Sequence, residues 1–292
     1  MSRFKLTIEY DGTPFSGWQR QEGIPTVQGT LENAFADFLG EYTTIWGSGR
    51  TDAGVHAKGQ VAHVDISKAY TSFAIQGAMN KRLRNTPISI LRVEEVSLDF
   101  HARFSAVSRA YEYNILNRRA PASLETNRAW WVIRPLSIEA MAEAATYLIG
   151  YHDFSSFRDS RCQAPSPLKT LDHLSIEKRG EFIIVKARAR SFLHHQVRNM
   201  VGTLKRVGQG AWTPIKVKEI LEAKDRRSAG PTAPAGGLYL TEIFYEKLLS
   251  NLTKELVLKA PDQHEDRVLS AIAEERDVKA AKTTKHDDAW RP

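Results

Sequence analysis

A single carboxylate in a turn of small residues is the first place in this sequence where chemistry could happen. Asp52 stands in Gly47-Ser48-Gly49-Arg50-Thr51-Asp52-Ala53-Gly54-Val55-His56-Ala57, with Arg50 two positions before it and His56 four after. An aspartate can act as a nucleophile, and a guanidinium close by keeps it ionised. Glycines on both sides let the backbone bend sharply or approach a ligand. The same residues also suit a plain turn, because aspartate bonds its own local backbone. Two other chemistries fail on spacing. Gly47, Gly49 and Asp52 lack the third glycine of a dinucleotide fingerprint, and no Gly-Lys-Ser/Thr follows for a phosphate loop. His56 and His63 could ligate a metal, but the chain has one cysteine, Cys162, and neither HExxH nor CxxC spacing, so a metal is not expected.

The segments on either side must hold this turn in place. Glu41 to Trp46 reads as a strand from its Tyr, two Thr, Ile and Trp. Gln60 to Ile66 alternates Val61, His63 and Asp65 against Ala62, Val64 and Ile66. Upstream, Phe4 to Tyr10 alternates as a half-buried strand and runs into an Asp11-Gly12-Thr13-Pro14 turn. Phe15-Ser16-Gly17-Trp18-Gln19-Arg20-Gln21 follows, in which the aromatics either pack in the core or line a nucleic-acid groove. Tyr111 and Tyr113 share one face of a strand over Ser108 to Ile115. Arg198 lies one helical turn from His194 and His195 on a basic amphipathic stretch.

The stretch GSGRTDAGVHAKGQVAH closely resembles the reactive-loop signature of the tRNA pseudouridine synthase A (TruA) family. Four further stretches resemble family motifs: YDGTPFSGWQRQ, DFHARF at Asp99 to Phe104, RAYEY at Arg109 to Tyr113, and Ser191 to Gly202. So does the loop from Ala229 to Leu240. The first motif favours the groove wall for Phe15 and Trp18. The resemblance covers about residues 3–246.

It implies a tRNA pseudouridine synthase, an isomerase acting on uridines 38, 39 and 40 of the anticodon arm after the base is flipped out. Asp52 is then the nucleophile, with its covalent route open, and Arg198 pairs with it and orients it. Tyr111 stacks on the target base and is a candidate for removing the C5 proton. An aromatic face can return about 1–3 kcal/mol of the cost of unstacking. Arg50 fills the space left by the base or binds phosphate, and Leu238 helps line the pocket. Phe192 and Arg103 are further substrate-binding candidates, Arg103 being equally readable as a surface arginine. Isomerisation involves no redox change, so no cofactor is implied. The partners implied are tRNA and a second copy of the chain in a homodimer. The fold implied is α+β, two pseudo-symmetric halves sharing an extended mixed or antiparallel sheet flanked by helices, with the catalytic cleft between them. Two rivals stand beside this reading. A non-catalytic RNA-binding module has no need of Asp52. An N-glycoside hydrolase wants a second carboxylate, for which Glu9 or Asp11 could fold toward the loop.

Composition agrees with a folded, reducing-compartment protein that meets a polyanion. Of 292 residues, 42% are hydrophobic, enough for a packed core. One cysteine excludes an internal disulfide. The opening residues already alternate as a charged strand, and no apolar run approaches the ~20 residues of a membrane span, so a soluble cytoplasmic protein is expected. From Lys247 onward nine basic residues balance nine acidic ones, so the whole net charge of +7 falls in residues 1–246. A basic core suits phosphate.

The expected organisation is an N-terminal half at 1–117 carrying the Asp52 loop, a connection at 118–136 and a C-terminal half at 137–246. Residues 247–292 form a charged tail, either mobile or partly helical around Val268 to Ala273, beyond the chain length usual in the family. Helices are expected from Thr26 to Gly40, Phe73 to Leu83, Ile138 to Leu148, about His194 onward, and Pro214 to Lys224. Strands are expected at Ile88 to Val96, at Lys169 to Ile176 paired with Glu181 to Arg190, and at Leu238 to Tyr245. Gly150 to Phe157 reads as a polar loop with aromatic anchors.

Overall fold

Strict alternation builds the first strand. Phe4, Leu6, Ile8 and Tyr10 are buried along β1 (Ser2–Tyr10), while Lys5, Thr7 and Glu9 face outward. The structure, a computed structural model, describes residues 1–245. The expected charged tail therefore lies outside the described residues. Capping sets the helices. In α1 (Val27–Leu39) the Thr26 side chain accepts from the Gly29 amide, and Gly40 closes the helix at φ 76°. The chain continues through β2 (Trp46–Gly47), β3 (His56–Ile66), α2 (Ser72–Arg82), β4 (Ile88–Val96) and β5 (Ala106–Asn117). Then come β6 (Trp130–Val132), α3 (Ile138–Thr146), β7 (Gly150–Asp153), β8 (Leu168–Arg179) and β9 (Phe182–Ala189). The last elements are α4 (Gln196–Gly208), α5 (Lys216–Ala223) and β10 (Leu238–Tyr245).

These strands form one mixed sheet of ten strands, giving the α+β fold. Its main path runs β4-β1-β3-β10-β5-β9-β8-β7, with β2 on β3 and β6 on β5 as short additions. Most pairs are antiparallel. The exception that matters is the seam between β3 and β10, which is parallel and pairs His56 with Tyr239 and Ala57 with Leu240. β10 comes from the far end of the fold and slots between β3 and β5. The two sequence halves therefore interleave in the sheet. Two apolar cores result, one built on β1, β3, α1 and α2, the other on β8, β9, α3, α4 and α5. Tyr111 packs against both.

Several local expectations change in three dimensions. Only Trp46 and Gly47 of the Glu41 to Trp46 segment join the sheet. The residues before them are held by a side chain: Glu32, fully buried on α1, accepts from the Ile45 amide at 3.2 Å and from Arg20 at 2.8 Å. Phe15 and Trp18 are core residues at 7% and 2% exposure, so they do not wall a groove. Arg20 is bound to that same glutamate. The connection at 118–136 contributes β6, which runs parallel to β5. The expected polar loop at 150–157 is a strand followed by a single 3-10 turn, Ser155–Phe157, anchored by buried Phe154 and Phe157.

Gly202 shows how closely α4 is seated. A β-carbon there would lie 1.7 Å from the Pro231 carbonyl oxygen, which belongs to the backbone and cannot swing aside. Gly202→Ala is expected to destabilise the fold by about 1–3 kcal/mol or more, seen as a lower melting temperature in thermal unfolding followed by circular dichroism.

Candidate active site

The Asp52 loop is shaped by the stretch that follows β1. The Trp18 amide donates to the Thr51 carbonyl at 3.0 Å, and the Gly54 amide donates to Phe15 at 3.3 Å. Tyr10 and Thr51 share a buried hydroxyl hydrogen bond of 2.8 Å. Ser48 bonds Gln60 at 2.7 Å, and Gln60 in turn donates to the Gly49 carbonyl at 2.9 Å. Phe15 and Trp18 thus serve the loop from beneath. Because β3 starts four residues after Asp52 and immediately joins the parallel seam, the loop rises where the two cores meet.

α4 approaches the same point. Arg198, in its first turn, donates from Nε to the Ala233 carbonyl at 2.8 Å and from an Nη atom to Asp52 Oδ2 at 3.1 Å. The Ala233 amide returns a bond to the Arg198 carbonyl at 3.1 Å. The guanidinium is thereby fixed before it meets the carboxylate. Two imidazoles complete the surround. His194 Nε2 lies 3.3 Å from Asp52 Oδ1, and His195 Nε2 lies 3.2 Å from Oδ2. The other His195 nitrogen, Nδ1, is 2.7 Å from Asp159 Oδ2. His195 caps α4 at φ 61°, a left-handed conformation that few non-glycine residues adopt.

Burial pushes the Asp52 carboxyl upward, since its side chain is only 25% exposed. The hydrogen bond from His195, then the charges of His195, His194 and Arg198, more than reverse this, and the carboxyl sits below its ordinary value. Asp52 is therefore ionised at neutral pH. Tyr111 is shifted the other way. Burial first, and then the charge of Asp52, raises the phenol to about 12. Its ring meets Phe192 edge-on, with centroids 5.2 Å apart.

Of the sequence-predicted residues, the structure brings Asp52 and Arg198 into contact, with Tyr111 close enough to feel the carboxylate charge and Phe192 against its ring. Arg50 is exposed on the loop. Arg103 is exposed, its guanidinium 5.7 Å from the Phe104 ring centre. Leu238 is buried at 5%, paired with Tyr113 in the second core. Neither alternative carboxylate reaches Asp52. Glu9 faces the exposed side of β1, and Asp11 accepts from the Thr13 amide and from Arg128. His56 and His63 are likewise occupied: the Nδ1 of each accepts a backbone amide, from Gly12 and Ala102. The three donors of Asp52, His194 and His195 come within 4.8 Å of one another, close enough for one cation to reach. Arg198 already places a positive charge on that carboxylate, so we read the imidazoles as hydrogen-bonding partners.

The sequence matches agree with this geometry. The model of the tRNA pseudouridine synthase family matches residues 6–105 and 144–246. A tRNA pseudouridine synthase A from Rhodospirillum centenum is 58% identical over 245 residues, covering 84% of this chain and 100% of that one. One from Paramagnetospirillum magneticum is 56% identical over 245 residues, covering 84% and 96%. A third, from Bartonella tribocorum, is 53% identical over 247 residues, covering 84% and 100%.

The chain belongs to the tRNA pseudouridine synthase family. Asp52 and Arg198 fall inside the matched segments of the family model, and Tyr111 falls between them. In this synthase-family chain the sequence pattern gave notice of the carboxylate and its arginine, but not of three other parts. His194 and His195 stood one turn from Arg198 and could have been found by that spacing. Asp159 carried no signal, because only the fold brings it to His195. Arg109 was likewise hidden. It donates to the carbonyls of Ser48 at 3.0 Å, Arg103 at 2.9 Å and Arg190 at 2.7 Å, clamping the base of the Asp52 loop to the end of β9.

Asp159 is also held low, to about 2: burial raises it, but the Arg161 amide and His195 outweigh that. Both acids have folded values below their unfolded ones. Each therefore adds stability that is present above about pH 4 and is lost as pH falls through its lowered value. The melting temperature is expected to drop between pH 4 and pH 2, and to drop less steeply in Asp159→Asn. Calorimetric scans at stepped pH would measure this.

Proposed function

We propose that this protein isomerises uridine to pseudouridine in tRNA, at positions 38, 39 and 40 of the anticodon arm, with Asp52 as the nucleophile. The observation that carries this reading is an ionised carboxylate, pinned by Arg198, at the seam of two cores beside a half-buried tyrosine ring. In the reaction the N1–C1′ bond breaks and a C5–C1′ bond forms. One hydrogen leaves C5 and one is gained at N1, so no electrons are exchanged and no redox group is required.

The target base is flipped out of its stack and lies against Tyr111, whose ring Phe192 supports from the edge. Tyr111 holds its proton at neutral pH, and the negative charge on Asp52 is part of the reason. While that carboxylate is engaged with the substrate its charge is spent, so the phenol gives up its own proton to water more readily, and the phenolate so formed takes the C5 proton. Arg50, exposed on the loop, meets phosphate or fills the gap left by the base, and Arg103 beside Phe104 gives a second phosphate contact. Leu238 supports the pocket from the core. Recognition of neighbouring uridines in one arm is by RNA shape and backbone. We also propose a cytoplasmic homodimer. No helix among the described residues is long and apolar enough to cross a membrane.

Incubation with C5-tritiated tRNA transcript should release tritium to water and leave pseudouridine at the three positions. Asp52→Asn and Asp52→Ala should lose release entirely while still binding tRNA, and EDTA should leave the wild-type rate unchanged. Silence from folded wild-type protein across several tRNAs would refute the enzymatic reading. Free uracil in place of pseudouridine would point to a glycoside hydrolase. Sedimentation at micromolar concentration should give twice the chain mass.

A further inference from the structure

His195 stands between two carboxylates. Its Nδ1 is 2.7 Å from Asp159 and its Nε2 is 3.2 Å from Asp52. A neutral imidazole has one N–H and one lone pair. If His195 were neutral, one of its nitrogens would set a lone pair against an oxygen that can only accept. The contacts are satisfied when both ring nitrogens carry hydrogen, or when one acid is protonated. Both acids lie below their ordinary values, so the extra proton belongs on the ring.

We propose that Asp159 and His195 are positioning residues for Asp52: Asp159 holds His195 as an imidazolium, and the imidazolium, together with Arg198, fixes the charge and direction of the Asp52 carboxylate. The proposal rests on the role given to Asp52 above and adds the machinery behind it. The local build supports it. The Asp159 amide donates to the His194 carbonyl at 3.1 Å, and Cys162 Sγ accepts from the His194 amide at 3.4 Å, so the 159–162 loop grips the histidine pair through its backbone. His195 adopts a left-handed backbone at the start of α4, which is tolerated only where its surroundings over-determine it. Asn199 and Arg226 extend the grip. Asn199 donates to the Phe157 carbonyl at 2.8 Å and accepts from Arg226 at 3.0 Å.

The charged and titratable groups around His195 can all be named. Asp52 faces it from the loop before β3, Asp159 from the loop after β7, and His194 and Arg198 from its own segment. The His194 ring lies against it, tilted by 35° with centroids 4.0 Å apart, and its Nδ1 is 3.7 Å from Asp159. Arg161 binds the far oxygen of Asp159 through its amide at 2.8 Å, and Arg226 acts on Asp159 by charge. The two acids, burial and Arg198 set its balance. The bond to Asp52, opposed by burial, raises His195 above its ordinary value, with Asp159 adding to the rise. A raised histidine contributes its effect fully below about pH 6.5 and loses it as pH climbs through the raised value. Asp52 therefore loses one of its two cationic partners on the alkaline side.

The test reads the ring first and the reaction second. Imidazole nitrogens of the free protein, labelled with nitrogen-15, are followed by NMR as pH is raised, with His195→Gln identifying the signal. Wild-type His195 should show both nitrogens protonated at pH 7, and Asp159→Asn should move its midpoint down by about one pH unit or more. Single-turnover tritium release should lose its alkaline limb at a correspondingly lower pH in Asp159→Asn, and His195→Gln should remove that limb. A ring that is neutral at pH 7 in the wild type overturns the proposal. So does an Asp159→Asn protein that lowers the rate equally at every pH, which is what a purely structural role would do. If the wild type releases no tritium while its ring titrates as described, the function assigned to the site fails and the charge arrangement stands.

Discussion

The Asp52 carboxylate is largely withdrawn from bulk water and yet stays ionised. Taking a lone carboxylate out of water costs several kcal/mol, and the usual response is to take up a proton. Here the response is prevented by partners on two sides, the Arg198 guanidinium at 3.1 Å and the imidazoles of His194 and His195 at 3.3 and 3.2 Å.

 Asp52 and Asp159 stand 107 positions apart in the chain. The two acids are bridged closely by His195 and more loosely by His194, whose Nδ1 is 3.7 Å from Asp159. Arg198 reaches the carboxylate from 146 positions away in the chain. Removing one partner of such a cluster leaves a buried charge without compensation, which is why its parts act as a unit.

The seam of the sheet is what allows these partners to meet. β10 lies between β3 and β5, so the loop ahead of β3 and the helix after β9 open onto the same place. The two residue pairs of the parallel contact are few, but the antiparallel pairing of β10 with β5 is long and holds them in register. Leu240 lies opposite Tyr111 in that pairing, which sets the tyrosine at the junction of the two cores. The ring is therefore supported by packing on both sides, and its position does not depend on a mobile loop.

Buried polar side chains do the remaining work of fixing loops that have no strand partners. Glu32 takes the place of a neighbouring strand for the segment before β2, by accepting from the Ile45 amide and from Arg20. Arg109 joins three carbonyls from separate parts of the chain at the base of the Asp52 loop. Asn199 and Thr203 hold the loop that carries Ala233, the partner of Arg198. Each satisfies backbone groups that would otherwise be buried without a bond, at a cost of about 1–3 kcal/mol apiece.

Local pattern alone determined much of the secondary structure. Period-two alternation marked β1 and the Gln60 to Ile66 run of β3, and Thr26 with Gly40 bounded α1, because strand faces and helix caps depend on residues a few positions apart. The turn of small residues around Asp52, with its motif, marked the candidate site for the same reason. Only the tertiary structure decided that β10 enters between β3 and β5, that Phe15 and Trp18 support the loop from within the core, and that Asp159 reaches His195. Alternation is the same for a strand at any place in a sheet, and an aromatic side chain looks alike in a core or a groove. Those choices are made by contacts between distant segments, where packing and charge are settled together.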